Sequence, residues 1–168
     1  MADEIVNRVA QSKLITLDLG DFYPAGERKQ LDIATWLYEG LILREKDFRQ
    51  LVQEHNWAQY QDAYVSVHCS ADAIIPQWAY MLLSSALSPY AKRVLFGTSE
   101  VLETILMEES IGKADFSAYA GKPVIIKGCG HLPIPPQAYI KMVTKLQPLV
   151  KSIMFGEACS TVPIYKKK

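Results

Sequence analysis

The stretch 64-YVSVHCSADAIIPQWAYMLLSSAL-87 decides the fold class. It begins with a short strand-like run, Tyr64–His68, and ends in the apolar segment Gln77–Leu87. Pro76 is placed to open a helix over that segment, since a proline at the start of a helix loses no hydrogen bond there. Pro89 follows closely, so we expect the helix to end before it. The stretch therefore predicts one strand followed by one helix.

Three further strand-like runs follow at nearly constant spacing. They are Arg93–Phe96, Pro123–Lys127 and residues 151–155, and the four runs begin 29, 30 and 28 residues apart. That spacing is the length of a unit made of one strand and one helix. The sequence therefore predicts an α/β fold with a three-layer, mostly parallel sheet built from such units over about residues 61–168. Beyond this spacing we identify no internal sequence repeat.

The first part of the chain, residues 1–60, has a mixed pattern. Residues 15–19 alternate apolar and polar side chains, as a half-buried strand does. Residues 31–36 are expected to return as a second strand, and residues 45–60 show the periodicity of a helix. We therefore expect an N-terminal hairpin-plus-helix addition to the α/β core, the whole of residues 1–168 forming a single domain.

Composition excludes several classes of protein. The 168 residues are 49% hydrophobic, so the chain is not disordered as a whole. Lysine and arginine number 18, as do aspartate and glutamate, and a neutral chain argues against nucleic-acid binding. No apolar run is long enough to span a bilayer, and the acidic N-terminus is unlike a secretory signal. We therefore expect a cytoplasmic protein that binds neither nucleic acid nor membrane.

The three cysteines each follow a predicted strand. Cys69 follows the first run, Cys129 the third and Cys159 the fourth, which would place all three at the carboxyl edge of a parallel sheet. In the flavodoxin-like strand order second, first, third, fourth, the cysteine-bearing strands would be neighbours. Three thiolates with His131 match a tetrahedral zinc site, and three thiolates also suit an iron–sulfur cluster. Cys69, Cys129, Cys159 and His131 are therefore the predicted metal ligands.

Two other functions stay open at this point. The same cysteines could serve a thiol-based enzyme or a persulfide relay, because a thiolate is favoured near a helix N-terminus. The chain could instead be a non-catalytic interaction module with structural cysteines, because free cysteine also packs as a small hydrophobe. Its interface would use Trp78, Tyr80, Tyr139 and Tyr165. Whether the protein is an enzyme stays undecided, and the apolar content permits a homo-oligomer.

The longer segments resemble a known family, the bacterial domain of unknown function 2480 family. The matching segments include 40-GLILREKDFR-49, 64-YVSVHCSADAIIPQWAY-80 and 151-KSIMFGEACSTVPIY-165. The family has no established activity. Its pattern includes cysteines matching Cys69, Cys129 and Cys159, but not a histidine at His131. Members are often encoded near iron–sulfur assembly genes, so the resemblance implies iron–sulfur or sulfur handling, with iron–sulfur assembly proteins as partners.

Overall fold

The structure is a computed structural model that describes residues 14–128 and 130–168. Within these residues there are seven strands and four α-helices. The strands are β1 (Ile15–Asp18), β2 (Arg28–Asp32), β3 (Tyr64–His68), β4 (Arg93–Phe96), β5 (Pro123–Lys127), β6 (Ser152–Glu157) and β7 (Ser160–Lys166). The helices are α1 (Glu45–Glu54), α2 (Gln77–Leu87), α3 (Ser99–Lys113) and α4 (Pro136–Leu146). Short 3₁₀ helices are η1 (Leu19–Phe22), η2 (Ile33–Trp36), η3 (Trp57–Tyr60) and η4 (Ser117–Tyr119).

The strands form two sheets. One has the order β1-β5-β6-β7 and the other the order β2-β3-β4. All neighbouring strands are parallel except β6 and β7, which are antiparallel. The predicted α/β class with mostly parallel strands is therefore confirmed. Among the described residues, no helix has the length and apolar character needed to cross a membrane.

The chain divides into two compact units. Unit 1 comprises the described part of Met1–Pro24 together with Thr104–Lys168, and unit 2 comprises Ala25–Glu103. Unit 2 is therefore inserted into the chain of unit 1, directly after η1. Each unit has its own sheet and its own hydrophobic core. The expectation of a single domain over residues 1–168 stays a prediction.

Three details of the sequence prediction are wrong. The expected hairpin does not form, because β1 pairs with β5 of unit 1 and β2 pairs with β3 of unit 2. The expected single sheet is two sheets, because β3 and β5 belong to different units. The helix expected over residues 45–60 is divided, because His55 adopts an extended conformation (ψ 139°) that ends α1 before η3 begins.

The two units share one order of elements at a constant shift in sequence. Adding 59 to each residue number carries β3 onto β5 and α2 onto α4, and carries α1 onto the second part of α3. Subtracting 14 carries β2 and η2 onto β1 and η1. The chain therefore contains an internal structural repeat, which extends well beyond the regular strand spacing identified in the sequence.

Matching contacts support this repeat. The Asp62 backbone N donates to the Tyr90 carbonyl O at 2.9 Å, and the Gly121 N donates to the Leu149 O at the same distance. Asp62 and Gly121 both have positive φ, 56° and 70°. Matched positions also build the two cores: Leu31 and Leu17, Ile33 and Leu19, Phe48 and Met107, Val52 and Ile111, Val65 and Val124, Val67 and Ile126, Leu83 and Met142, and Leu87 and Leu146.

The units differ after their last matched strand. Gly97 and Gly156 occupy the same position and have similar φ angles, 128° and 118°. After Gly156 the chain reverses into β7, which pairs with β6. After Gly97 it enters α3 instead, so the sheet of unit 2 has no strand equivalent to β7 among the described residues. This difference leaves β4 as an edge strand.

Candidate functional site

The described cysteines lie in different units. Cys69 follows β3 of unit 2, is partly buried against the core of that unit, and donates through Sγ to the Ala71 carbonyl O at 3.7 Å. Cys159 is exposed in the turn between β6 and β7 of unit 1. Both are free thiols. The prediction that all three cysteine-bearing strands are neighbours in one sheet is therefore wrong for β3, although β5 and β6 are paired neighbours.

The predicted metal-binding function is also wrong, whereas the assignment of Cys69, Cys129, Cys159 and His131 as ligands stays a prediction. In residues 14–128 and 130–168, no group of three or more His, Cys, Asp and Glu side chains is placed to hold a metal ion. His131 is exposed, and Cys129 lies outside the described residues, so its role as a ligand stays a prediction. The persulfide relay loses its basis too, because the described cysteines do not cluster. A metal or iron–sulfur function is thus overturned.

The internal repeat explains why the cysteine pattern misled. Cys129 corresponds to Ser70 at the shift of 59, so Cys69 and Cys129 belong to matching segments of two separate units. In the sequence, Cys69 comes directly after the last residue of β3, and Cys129 comes two residues after the last residue of β5. The sequence pattern reflects two copies of one structure rather than one shared site.

An apolar groove lies between α2 and the edge strand β4 of unit 2. Its volume is about 560 Å³. Six apolar or aromatic residues line it, with the polar side chains of Gln77 and Ser84: Val67, Tyr80, Met81, Val94, Leu95 and Phe96. Phe96 is 66% exposed, although its ring packs edge-on against Tyr80 with centroids 4.9 Å apart. A large exposed aromatic side chain beside an apolar groove is typical of a binding surface.

Unit 1 has the same groove, but with a strand beside it. Tyr139 and Phe155 correspond to Tyr80 and Phe96, and their rings also meet edge-on, with centroids 5.8 Å apart. Ile164 of β7 completes the lining, and the groove is smaller, about 330 Å³. Phe155 is 41% exposed, well below the value for Phe96. The Ile164 side chain, on β7, thus occupies the side of the groove that is open in unit 2.

No strand in the described part of the chain pairs with the outer edge of β4, and this edge offers two residues for backbone pairing. The Gly97 N donates to the Val67 carbonyl O of β3 at 3.0 Å, so Gly97 directs its N–H toward β3. Because backbone groups alternate in direction along a strand, Phe96 and Val94 direct theirs away from β3. In unit 1 the equivalent residues of β6 pair with β7. β4 contains no proline or lysine, although it is only four residues long and begins with the exposed, charged Arg93.

Cys69 helps to shape the open groove. Its counterpart is Gly128, where an added Cβ would lie 2.0 Å from the Tyr139 hydroxyl. Cys69 carries a Cβ, so the Tyr80 hydroxyl cannot occupy the same place in unit 2. Burial raises the pKa of Tyr80, and the electrostatic effect of Cys69 adds to the rise. The cysteine therefore has a packing role beside the groove.

A carboxylate also marks the carboxyl edge of each sheet. In unit 2 the Asp32 Oδ1 accepts from the backbone N of Ala34 and of Ser70, both at 3.0 Å. Its Oδ2 lies 3.8 Å from the His68 Nε2. Burial acts to raise the pKa of Asp32, but hydrogen bonds from Ser70 and Ala34, with the charge of His68, outweigh it and lower that pKa. In unit 1, Asp18 forms the matching cap and lies 3.7 Å from Lys127. These pairs join neighbouring strands, so we assign them to stability.

The open groove was missed from the sequence alone. The signal was present, because the shift of 59 brings Tyr80 onto Tyr139 and Phe96 onto Phe155. This signal is visible only when residues 64–97 are aligned with residues 123–156 of the same chain. The lack of a strand after Phe96 then follows from α3, which begins at Ser99.

The fold and the groove define a protein of two α/β units, one inserted into the other in sequence. In one unit a fourth strand covers the sheet edge; in the other, β4 has no second partner strand within residues 14–128 and 130–168. The chain belongs to the family described as "Protein of unknown function (DUF2480)", which matches residues 3–167. The family resemblance is therefore confirmed. No curated protein and no solved structure matches the chain.

Proposed function

We propose that this protein binds an extended segment of a partner protein, which adds as a strand to the free edge of β4. One observation carries the proposal. In unit 1, the same edge and the same groove are covered by β7, an extended segment with Ile164 in the groove. A partner segment would occupy the corresponding place in unit 2. Strand addition to an exposed sheet edge is a common mode of peptide recognition.

The energy for such binding comes from two sources. Val94 and Phe96 together present two N–H and two C=O groups, and each hydrogen bond contributes about 0.5–1.5 kcal/mol net. The Phe96 ring, 66% exposed, is also removed from water, at about 25 cal/mol per Å² of apolar surface. Binding to so short a strand is therefore expected to be weak or moderate, and to depend on both contributions.

The test uses a variant that removes only the outward donor. Val94→Pro deletes the N–H that points away from β3, and leaves the inward groups of β4 in place. Val94→Ala is the matched control, because it shortens the side chain but keeps the N–H. The probe is a library of random linear peptides displayed on phage, selected on the full chain, with affinities of the enriched peptides then measured on all three proteins.

The proposal expects peptides that bind the unsubstituted chain, and that bind Val94→Pro at least about tenfold more weakly than Val94→Ala. Equal binding to all three proteins, or no enriched peptide, overturns it. If Val94→Pro does not fold, Phe96→Ala takes its place, with Phe155→Ala in unit 1 as its control.

Other occupants of the edge give different results. A dimer of the unsubstituted chain that becomes a monomer in Val94→Pro identifies a second copy as the occupant. Faster hydrogen exchange at Phe96 after removal of residues 1–13 identifies the chain's own first segment. Either result overturns a partner protein as the occupant.

A further inference from the structure

The two grooves differ in polar chemistry at two matched positions: Gln77 lines the open groove where unit 1 has Pro136, and a serine replaces a valine on the wall between the aromatic rings. Val143 lines the covered groove of unit 1, and Ser84 lines the open groove of unit 2. The aromatic walls are the same, Tyr139 with Phe155 and Tyr80 with Phe96. The open groove therefore keeps the aromatic walls that stand beside Ile164 in unit 1, but it is larger and its wall carries the Ser84 hydroxyl.

We infer that the partner segment runs antiparallel to β4 and places a tyrosine in this groove, with the tyrosine hydroxyl on Ser84. This inference rests on the proposed function and specifies the ligand of the same site. It concerns the direction of the segment and the side chain that gives specificity.

The direction follows from β7. In unit 1, Phe155 pairs with Val162 and Ile153 with Tyr165, in antiparallel register. The register shifts between Ile153 and Met154, and Ile164 lies in the extra length of β7 at that shift. The residue in the groove of unit 2 would likewise lie between the partner residues that pair with Phe96 and Val94.

The choice of tyrosine follows from the lining. A residue such as isoleucine would cover the Ser84 hydroxyl with an apolar group, and a covered hydroxyl without a hydrogen bond is costly. An aromatic ring suits the walls of Tyr80 and Phe96, because edge-on aromatic contacts are favourable. The greater volume of the open groove, about 560 Å³, leaves room for the larger side chain. Tyrosine supplies both the ring and the hydroxyl.

The experiment uses three synthetic peptides based on β7. The first has the sequence of residues 160–168, STVPIYKKK. The second carries Ile164→Tyr and the third Ile164→Phe, which has the ring without the hydroxyl. Each is titrated against the full chain, against Ser84→Val, which restores the residue of unit 1, and against Val94→Pro.

We expect the tyrosine peptide to bind the unsubstituted chain about 3- to 10-fold more tightly than the phenylalanine peptide, the value of one hydrogen bond. On Ser84→Val this ratio should fall to about one. Direction is read from a spin label on the C-terminal end of the tyrosine peptide, which should broaden the amide signal of Arg93 more than that of Gly97.

Failure of the inference is distinct from failure of the proposed function. If the tyrosine and phenylalanine peptides bind equally and both weaken on Val94→Pro, strand addition stands and the tyrosine is refuted. Stronger broadening of Gly97 than of Arg93 refutes the antiparallel direction alone. If no peptide binds, or binding is unchanged on Val94→Pro, this ligand and strand addition at β4 both fail.

Discussion

Replacing two matched phenylalanines by alanine measures how much β7 protects the sheet of unit 1. Phe155 is 41% exposed and therefore 59% buried, and Phe96 is 66% exposed and therefore 34% buried. A phenylalanine buries about 200 Å² when fully enclosed, and apolar burial contributes about 25 cal/mol per Å². Phe155→Ala should then lower the free energy of unfolding by about 3 kcal/mol, and Phe96→Ala by about 1.7 kcal/mol.

The two phenylalanines make equivalent aromatic contacts, so the comparison of their alanine variants isolates the effect of β7. Each ring meets one tyrosine edge-on, Tyr139 in unit 1 and Tyr80 in unit 2, so that aromatic contact cancels in the difference. The remaining difference, about 1.2 kcal/mol, reports the cover that β7 gives to Phe155.

The assay is urea unfolding followed by far-UV circular dichroism at low protein concentration. A change of midpoint at constant slope identifies a change in stability. If Phe96→Ala destabilises the chain as much as Phe155→Ala, the ring of Phe96 is covered in solution and the edge of β4 is not free. That result would refute the reasoning behind the proposed site.

Three further predictions concern the individual units. Gly121→Ala should lower the free energy of unfolding by about 1 kcal/mol, because φ is 70° there and an added Cβ meets nothing within 4 Å, so only backbone strain acts; an unchanged urea midpoint contradicts this. Leu87→Ala should lower the free energy of unfolding by about 3 kcal/mol, because Leu87 is fully buried in unit 2. Tryptophan fluorescence reports this loss, since all three tryptophans belong to that unit. A loss under about 1 kcal/mol contradicts the prediction. The folded pKa of Asp32 is lowered, so its stabilising effect is present above the unfolded value of 3.8 and is lost as the pH falls through the folded pKa. The difference in unfolding free energy between the unsubstituted chain and Asp32→Asn should therefore be constant near neutral pH and shrink below that value; a difference that grows in acid contradicts this sign.

Local signals in the sequence predicted the elements of the α/β core well. The strands β3, β4 and β5 and the helix α2 have the predicted bounds, because their apolar runs and flanking prolines act within a few residues. Which strands pair with one another could not be predicted from these local signals. Ile15 pairs with Val124, far along the chain, and nothing near either residue marks the other.

The candidate site depended on that pairing. The constant spacing of the strand runs continues across the boundary between units, because α3 occupies the same length of chain as a connection within one sheet. The sequence pattern therefore predicts one sheet where there are two, and it predicts that the cysteines lie together at one sheet edge. The groove of unit 2 is open because β4 has no second partner strand among the described residues. The lack of a partner strand leaves no pattern in the sequence near β4.

The insertion of unit 2 after η1 has a consequence for synthesis on the ribosome. The strand β1 is made early, but its partner β5 emerges only after Ala25–Glu103 has been completed. Unit 2 pairs Arg28 with Tyr64 over a much shorter length of chain. Since domains generally fold as they emerge and distant pairings are slow, we expect unit 2 to form first. During that interval β1 would remain unpaired, and its exposed backbone groups would be most open to wrong pairing. A chaperone would have its largest effect on folding at this stage.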